Sequence, residues 1–228
     1  MQRVSMMNIV ILTVTFLMCI ISFYIFFSDL KKHPLSGGEK IEESQISRSA
    51  WIYGGLMCCL TMGAAVLFCT LYKDNDLFLT LKRMGLLAVM WPVAYIDYKS
   101  MRIPNLFPLA GVIYRVVLFP FELFWDGKVA GLQLLSEVIA AVALLVAALL
   151  CSLCMKNAIG FGDIKLLGVM GLLLGLEGIW GAVFLSLVVS FVIAAYLLLS
   201  KRKTGKDAIP FGPALVIGTF LSVCLSGM

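Results

Sequence analysis

Long apolar segments separated by short polar connections make up most of this chain. Eight such segments can be drawn, at residues 8–28, 49–72, 77–96, 106–125, 131–155, 164–176, 178–200 and 211–225. Most of them approach the roughly 20 helical residues that cross a bilayer core of about 30 Å. The pattern therefore predicts an all-α fold, a polytopic transmembrane helical bundle with about eight membrane-spanning helices and seven as the alternative count.

The first, third and sixth segments depart from this simple pattern. The first is similar to a secretory signal, but its apolar run is longer and no small-x-small cleavage site follows it, so we expect a retained helix. Lys82 and Arg83 interrupt the third segment, which makes it the weakest of the eight. The sixth is short, and we expect it to be tilted or shielded by its neighbours.

The composition excludes a water-soluble globular protein. Of the 228 residues, 61% are hydrophobic and 14% are charged, whereas a soluble domain has about 25% charged residues. The mean hydropathy is +1.02. We therefore predict a single transmembrane domain over residues 1–228, surrounded by membrane lipid, with no soluble domain and no internal repeat.

The cysteines and the single histidine do not suggest a metal site, a disulfide or a cofactor. All seven cysteines lie in apolar segments, where they serve as small hydrophobic residues. Cys151 and Cys154 form a C-x-x-C pair, but no second pair and no histidine follow. His33 is the only histidine, so neither a His-based metal site nor a Ser–His triad can be built. We predict no cofactor and no metal.

The positions of Lys and Arg predict the orientation in the membrane. Twelve of these residues lie in the connections after segments one, three, five and seven: Lys31, Lys32, Lys40, Arg48, Lys99, Arg102, Lys156, Lys165, Lys201, Arg202, Lys203 and Lys206. Five lie on the opposite side: Arg3, Lys73, Lys82, Arg83 and Lys128. Because cytoplasmic loops carry the excess of basic residues, both termini are predicted to lie outside. This placement explains the net charge of +5 without nucleic acid.

Three charged residues inside the apolar segments need partners or access to water. Arg115 and Glu122 lie seven residues apart in the fourth segment. We predict that this spacing is too long for an easy direct ion pair, and that each meets a partner on another helix or extends to the interface. Glu137 is near the start of the fifth segment, and we expect it to be interfacial.

Two aspartates stand at predicted cytoplasmic ends of apolar segments. Asp97 closes the third segment and Asp163 opens the sixth. Ionisable groups at such positions are costly and suggest a functional site, although each could also be a surface anchor, and Asp163 could cap its helix. Gly160 and Gly162 leave the backbone beside Asp163 bare, so that an extended peptide could approach it.

A pair of carboxylates held close together has a defined chemistry. Both cannot ionise easily, so that one keeps a proton while the other deprotonates a water. Hydrolysis of a peptide bond by an aspartic dyad requires this division of roles. The sequence offers no Ser, His or Cys arrangement as a competing nucleophile.

Three motifs in order resemble those of a known family. They are Asp97 followed by Ile103-Pro104-Asn105, then Gly160-Phe161-Gly162-Asp163-Ile164-Lys165-Leu166, then Ile209-Pro210-Phe211-Gly212-Pro213-Ala214-Leu215. Pro104 disfavours helix at Ile103 and helps to end the polar turn. Together the motifs resemble the type IV prepilin peptidase family, which belongs to the GxGD group of membrane aspartic proteases. The resemblance covers roughly residues 86–221.

The resemblance implies a prepilin leader peptidase at the cytoplasmic face of the cell membrane. It implies substrates that are type IV prepilin or pseudopilin precursors, cleaved after a glycine that precedes their hydrophobic helix. Asp97 and Asp163 would be the catalytic pair. The resemblance gives supporting or substrate-binding positions to Gly160, Gly162, Lys165, Ile103, Pro104, Asn105, Pro210, Gly212 and Pro213. Residues 86–228 would form the peptidase core and residues 1–85 the N-terminal helices.

One departure from the family concerns a second activity. Many prepilin peptidases have two C-x-x-C pairs in an N-terminal cytoplasmic loop, associated with N-methylation of the new N-terminus. The corresponding loop here, residues 29–48, is short and contains no cysteine. N-methyltransferase activity and a zinc site in this loop are therefore not expected.

Two other classes of protein remain as alternatives. A presenilin-like or signal-peptide-peptidase-like protease also uses Gly-x-Gly-Asp, and Pro213-Ala214-Leu215 matches the late tripeptide of that group. Against it, Tyr98 follows Asp97, whereas in that group a Tyr precedes the aspartate. A small proton-coupled transporter could use the aspartates as a proton relay, but such residues usually lie near the midplane of duplicated halves. A cleavage assay on aspartate variants separates a transporter from a protease.

Overall fold

The computed structural model describes residues 2–32, 48–71, 76–125, 127–154, 160–201 and 209–225. Within these ranges there are seven α-helices and no β-strand. The helices are α1 Gln2–Lys32, α2 Arg48–Leu71, α3 Leu77–Ser100, α4 Leu106–Trp125, α5 Gly127–Cys154, α6 Phe161–Leu199 and α7 Gly212–Leu225. Six of them, α1 to α6, have the length and apolar composition to cross a membrane. The prediction of an all-α polytopic bundle is confirmed.

The helix boundaries follow the apolar segments closely. The fourth segment coincides with α4, while α1 and α3 each continue for one further turn beyond the predicted end. The ends of the predicted loop 29–48 are therefore helical, and its residues 33–47 lie outside the described residues. Polar residues can occupy the last turn of a helix, so the length of the apolar segment underestimates the length of α1 and α3.

The sixth and seventh apolar segments both lie in α6, and the helix breaks at Gly175, two residues before the predicted division at residue 177. This glycine has φ 64° and ψ −176°, a region of backbone conformation that is essentially restricted to glycine. Leu176 N–H donates to the Ser136 hydroxyl at 3.1 Å, so α5 supplies a partner for a backbone group released at the break. We call the residues before the break α6a (161–174) and those after it α6b (176–199).

The chain reverses its direction at Gly175. On α6b, a Cβ placed on Gly181 would lie 2.9 Å from the Ser222 hydroxyl. Further along the same arm, the Ser186 hydroxyl donates to Leu215 O at 3.1 Å, so α6b runs antiparallel to α7. On α6a, Met170 contacts Thr219 of α7 at 4.0 Å.

The start of α6a lies at the start of α7, so the two run in the same direction. Asp97 accepts a hydrogen bond from Gly212 N–H and interacts electrostatically with Asp163. The first arm is thus parallel to α7 and the second is antiparallel to it. The eight predicted segments correspond to eight helical runs among the described residues, with α6a and α6b as two of them.

Helix α3 is the centre of the bundle. Of its most apolar window, 94% is buried within the protein, whereas the corresponding share in the other five long helices lies between 11% and 39%. It packs against α1, α2, α4, α6 and α7. Lys82, Arg83 and Asp97 of α3 are buried within the protein, and the weakest apolar segment is the most buried helix.

The charged residues inside the bundle form a closed ring of ion pairs, which we call the charge ring. Lys82 Nζ lies 3.1 Å from Glu122 Oε1 and 2.6 Å from Glu137 Oε1. Arg115 contacts Glu122 at 2.8 Å and also bonds to Glu137. All four side chains are at most 4% exposed. The ring therefore connects α3, α4 and α5 with two positive and two negative groups.

The charge ring corrects two predictions. Arg115 and Glu122 do pair directly, because residues seven apart lie on the same face of a helix and their long side chains span the rise of about 10.5 Å. Glu137 is buried and not interfacial, since its cationic partners lie on α3 and α4. The expectation that Arg115 and Glu122 each meet a partner on another helix is confirmed.

Candidate active site

Asp97 lies one turn before the end of α3. The helix ends at Ser100, and Met101 adopts a left-handed conformation with φ 49° and ψ 38°. The N–H of Met101 donates to Asp97 O at 2.8 Å, which satisfies one of the free carbonyls at the helix end. The residue Asp97 is 6% exposed and belongs to the interior of the protein.

The carboxylate of Asp97 faces the beginning of α7. Gly212 is the first residue of that helix, and its N–H donates to Asp97 Oδ2 at 2.8 Å. Free N–H groups and the positive end of the helix dipole favour a carboxylate at this place. A Cβ on Gly212 would lie 2.7 Å from Asp97 Oδ2. A side chain at this position would therefore have to displace the aspartate.

Asp163 lies in the first turn of α6a. Gly160 is the N-cap residue, with extended backbone and no side chain to cap the helix. The Asp163 carboxylate reaches back to hydrogen-bond the Gly160 backbone, as an acidic residue at the third helical position does in a capping box. Its other oxygen, Oδ1, is buried and has no hydrogen-bond partner among the described residues. The capping role predicted as an alternative is thus met by one oxygen only.

The loop after Asp97 packs directly on the turn that carries Asp163. A Cβ placed on Gly162 would lie 2.7 Å from Ile103 Cβ, so the two backbones can approach only because this residue is glycine. Lys165 Nζ donates to Asn105 Oδ1 at 2.8 Å. The side chain of Ile103 and that of Asn105 therefore hold opposite ends of the first turn of α6a.

The structure brings together most of the residues predicted for the site. Near one end of the bundle lie Asp97, Asp163, Gly160, Gly162, Ile103, Asn105, Lys165 and Gly212. Pro104 is buried between Ile103 and Asn105. Pro210 and Pro213 are half-buried and flank the start of α7, where Pro213 provides a helical residue without an N–H. Among the described residues, no group of three His, Cys, Asp or Glu side chains could hold a metal ion, and a metal-free site stays a prediction.

Sequence reasoning missed one ion pair beside the site. Arg102 lies 2.8 Å from Asp29 at the end of α1. From the sequence alone, Arg102 is recognisable only as a basic residue of a connection predicted to be cytoplasmic. The one available signal was its position immediately before the Ile103-Pro104-Asn105 motif, because the sequence did not indicate that α1 ends beside this loop.

The comparisons with known proteins agree with this geometry. The helical bundle is that of a polytopic membrane protein, and Asp97 and Asp163 interact electrostatically at one end of it. The model of the type IV leader peptidase family matches residues 84–199, half of the chain, and the chain belongs to this family. The match includes both aspartates and the loop at 103–105, whereas Gly212 lies beyond it.

Two curated relatives have the same description. The chain is 29% identical over 136 residues to a prepilin leader peptidase/N-methyltransferase of Bacillus subtilis (strain 168), covering 57% of this chain and 50% of that protein. It is 39% identical over 62 residues to a prepilin leader peptidase/N-methyltransferase of Xanthomonas campestris pv. campestris, covering 27% of this chain and 22% of that protein. The matches thus span half or less of the length of these relatives. No solved structure matches the chain.

Proposed function

We propose that this protein is a prepilin leader peptidase, an aspartic endopeptidase that removes the leader of type IV pilin-like precursors. The observation that carries the proposal is that Asp97 and Asp163, from two separate helices, interact electrostatically at one end of the bundle. The family of the chain supports the class of activity. The proposed catalytic residues are the two aspartates.

The proposed reaction is hydrolysis of one peptide bond by the carboxylate pair. One carboxylate accepts a proton from a water molecule, whose oxygen bonds to the carbonyl carbon of the substrate. The protonated carboxyl donates its proton to the carbonyl oxygen, which gives a tetrahedral intermediate. When the carbon–nitrogen bond breaks, the amine nitrogen takes up a proton, and the products are a free carboxyl and a free amine. Each aspartate needs the other, because they must hold different protonation states.

The substrate is proposed to bind as an extended segment against the start of α6a. Gly160 presents exposed backbone there, whereas Gly162 is packed against Ile103. Lys165 of α6a and Asn105 of the loop before α4 are polar groups beside this turn. Cleavage after a glycine that precedes an apolar helix is the specificity implied by the resemblance to prepilin peptidases. A precursor of this kind would keep its apolar helix in the bilayer and present its leader at the membrane surface.

The site is proposed to open at the cytoplasmic face of the plasma membrane. Support comes from the sequence, in which 12 basic residues lie in the connections predicted on the same side as Asp97 and 5 lie on the opposite side. No N-methyltransferase activity is proposed, because the loop at 29–48 lacks cysteine. The relatives have that activity in their names, so incubation with S-adenosylmethionine and a cleaved pilin is the direct test, and transfer of a methyl group would contradict this part.

Cleavage in cells tests the proposed function. The protein is co-expressed with a prepilin, and the mass of the prepilin is measured for the wild type, Asp97→Asn and Asp163→Asn at matched expression. Each variant is expected to lose about 10²- to 10⁴-fold in processing rate, because an amide can neither accept nor share the proton. Glu177→Gln is the matched control, since it neutralises an exposed carboxylate on the same helix as Asp163.

The alternatives give different results in this experiment. Wild-type processing by either Asn variant would remove that aspartate from the catalytic pair. A presenilin-like protease would cut within the apolar helix and not after the glycine that precedes it, which the product mass distinguishes. A transporter would leave the precursor unprocessed whether or not the aspartates are intact.

A further inference from the structure

Helices α1 and α2 hold the helix that carries Asp97, although both lie outside the residues matched by the family model. The Ser22 hydroxyl of α1 donates to Ala88 O. From α2, Tyr53 OH donates to Trp91 O at 2.8 Å. These polar contacts within an apolar bundle occur at successive turns of α3 on the way to Asp97. The N-terminal helices are thus fixed against the part of α3 that leads to the site.

The last contact in this direction is the ion pair of Asp29 with Arg102. The distance from Asp29 Oδ2 to the Arg102 guanidinium is 2.8 Å, and the side chains are 11% and 38% exposed. An ion pair at the surface contributes little to the free energy of unfolding, typically about 0–1 kcal/mol. The ion pair can nevertheless determine the position of the loop, because Arg102 directly precedes Ile103, which packs on Gly162.

The loop from Arg102 to Asn105 is the link between the two aspartates. It begins five residues after Asp97 and ends at Asn105, which accepts from Lys165. Between these points Ile103 packs against Gly162, the residue before Asp163. A displacement of this loop therefore displaces the first turn of α6a relative to α3, and with it the Asp163 carboxylate relative to Asp97.

We propose that Asp29 and Arg102 are positioning residues for the carboxylate pair, and that the end of α1 is a functional part of the active site. The proposal rests on the proposed peptidase function. Asp29 fixes Arg102, and Arg102 sets the place of the loop that spaces the two aspartates. Neither residue touches the reacting atoms, so both act on the rate of the chemical step through geometry.

Kinetics on a purified enzyme test the proposal. The protein is assayed in detergent with a synthetic peptide that has a hydrophilic leader ending in glycine, followed by an apolar segment. Asp29→Asn and Arg102→Gln are each expected to lower kcat by about 10- to 10²-fold, because a misplacement near 1 Å has effects of this size. KM and the thermal unfolding midpoint are expected to change little. Lys32→Gln is the matched control, since it removes an exposed charge at the same end of α1.

A charge exchange separates positioning from a merely structural role. The double variant Asp29→Arg with Arg102→Asp restores an ion pair in reversed order, and it is expected to recover most of the kcat lost in the single variants. Wild-type kcat in Asp29→Asn and Arg102→Gln would overturn the proposal. So would an exchanged pair whose loss of kcat equals the combined losses of Asp29→Arg and Arg102→Asp measured separately. If the single variants do not accumulate, the exchanged pair must both accumulate and cleave, and an exchanged pair that folds without cleaving also overturns it.

The outcomes distinguish this proposal from the proposed function on which it rests. A wild-type protein that leaves the peptide intact contradicts the peptidase function, and the positioning role with it. A wild-type protein that cleaves in a manner dependent on Asp97 and Asp163, but independent of Asp29 and Arg102, contradicts the positioning role alone.

Discussion

Gly212 and Asp97 occupy almost the same space, since a Cβ on this glycine would lie 2.7 Å from Oδ2 and 2.9 Å from Cβ of the aspartate. Gly212→Ala must therefore displace the Asp97 carboxylate. We expect it to lower cleavage activity by about 10- to 10²-fold through misplacement of the carboxylate, with little loss of folded protein. The measurement is kcat on the synthetic peptide together with the thermal unfolding midpoint.

Gly131→Ala is the control for this variant, because a Cβ there would have no atom within 4 Å. Equal kcat for Gly212→Ala and the wild type would mean that the position of Asp97 against α7 is unimportant for catalysis. A loss of folded protein that is as large as the loss of activity would instead assign Gly212 to stability.

At the scale of residues, the sequence predicts the site residues that lie within its motifs. The two aspartates, the glycines of the second motif and the loop at 103–105 were predicted as one site, and the structure brings them together. The contribution of Asp29 could not be predicted, because it depends on where α1 ends in space. The reason for glycine at 212 also needed coordinates, since a sequence motif does not show what occupies the space of the missing side chain.

At the scale of helices, Gly175 decides the architecture of α6. Its backbone, with φ 64° and ψ −176°, lies in a region that side chains other than glycine rarely adopt. We expect Gly175→Ala to lower the free energy of unfolding by about 1–3 kcal/mol. Reversible unfolding in detergent, with Gly131→Ala as the control, measures this. An unchanged midpoint would contradict the conformation of the turn.

The charge ring makes a second prediction for the helices, because it joins α3 to α4 and α5. Lys82→Met leaves two buried carboxylates with a single cation, and we expect a loss of about 3–5 kcal/mol in the free energy of unfolding. The double variant Lys82→Met with Glu137→Gln restores the balance of charge and is expected to lose less than the sum of the two single variants. Lys128→Gln, an exposed cation at the start of α5, is the control. Additive effects in the double variant would contradict direct coupling in the ring.

The helices themselves were largely predictable, whereas their surroundings were not. Apolar length located α4 at its observed ends and divided α6 into two segments at residue 177, two residues after the observed break at Gly175. The same criterion made α3 the weakest segment, although it is the most buried helix. Hydropathy measures the cost of transfer into lipid, and α3 is surrounded by protein. Charged residues on a central helix are therefore a poor guide to whether that helix crosses the membrane.

At the scale of the whole molecule, the reversal at Gly175 sets the number of crossings. If α6a and α6b cross separately, the residues after α6b return to the side of the membrane that holds Asp97. If α6 crossed only once, they would lie on the opposite side. Helices α6a and α7 are short, since 14 residues span about 21 Å at 1.5 Å per residue. The surrounding long helices provide the protein environment for these short elements.

Cysteine labelling from outside the cell tests this topology. In a background without the native cysteines, Ser100→Cys and Thr204→Cys are expected to react with a membrane-impermeant maleimide only after permeabilisation, because both follow segments whose basic connections are predicted cytoplasmic. Thr204 lies outside the described residues, and the reversal at Gly175 gives the same side for it as the basic residues do. Glu177→Cys, an exposed position two residues after the turn, is expected to react in intact cells. Retained cleavage by the cysteine-free background is the control for folding.

Labelling of Thr204→Cys from outside, with Ser100→Cys protected, would show that α6 crosses once and would overturn the eight-pass arrangement. Labelling of Ser100→Cys in intact cells would instead invert the whole orientation and place the aspartates at the outer face.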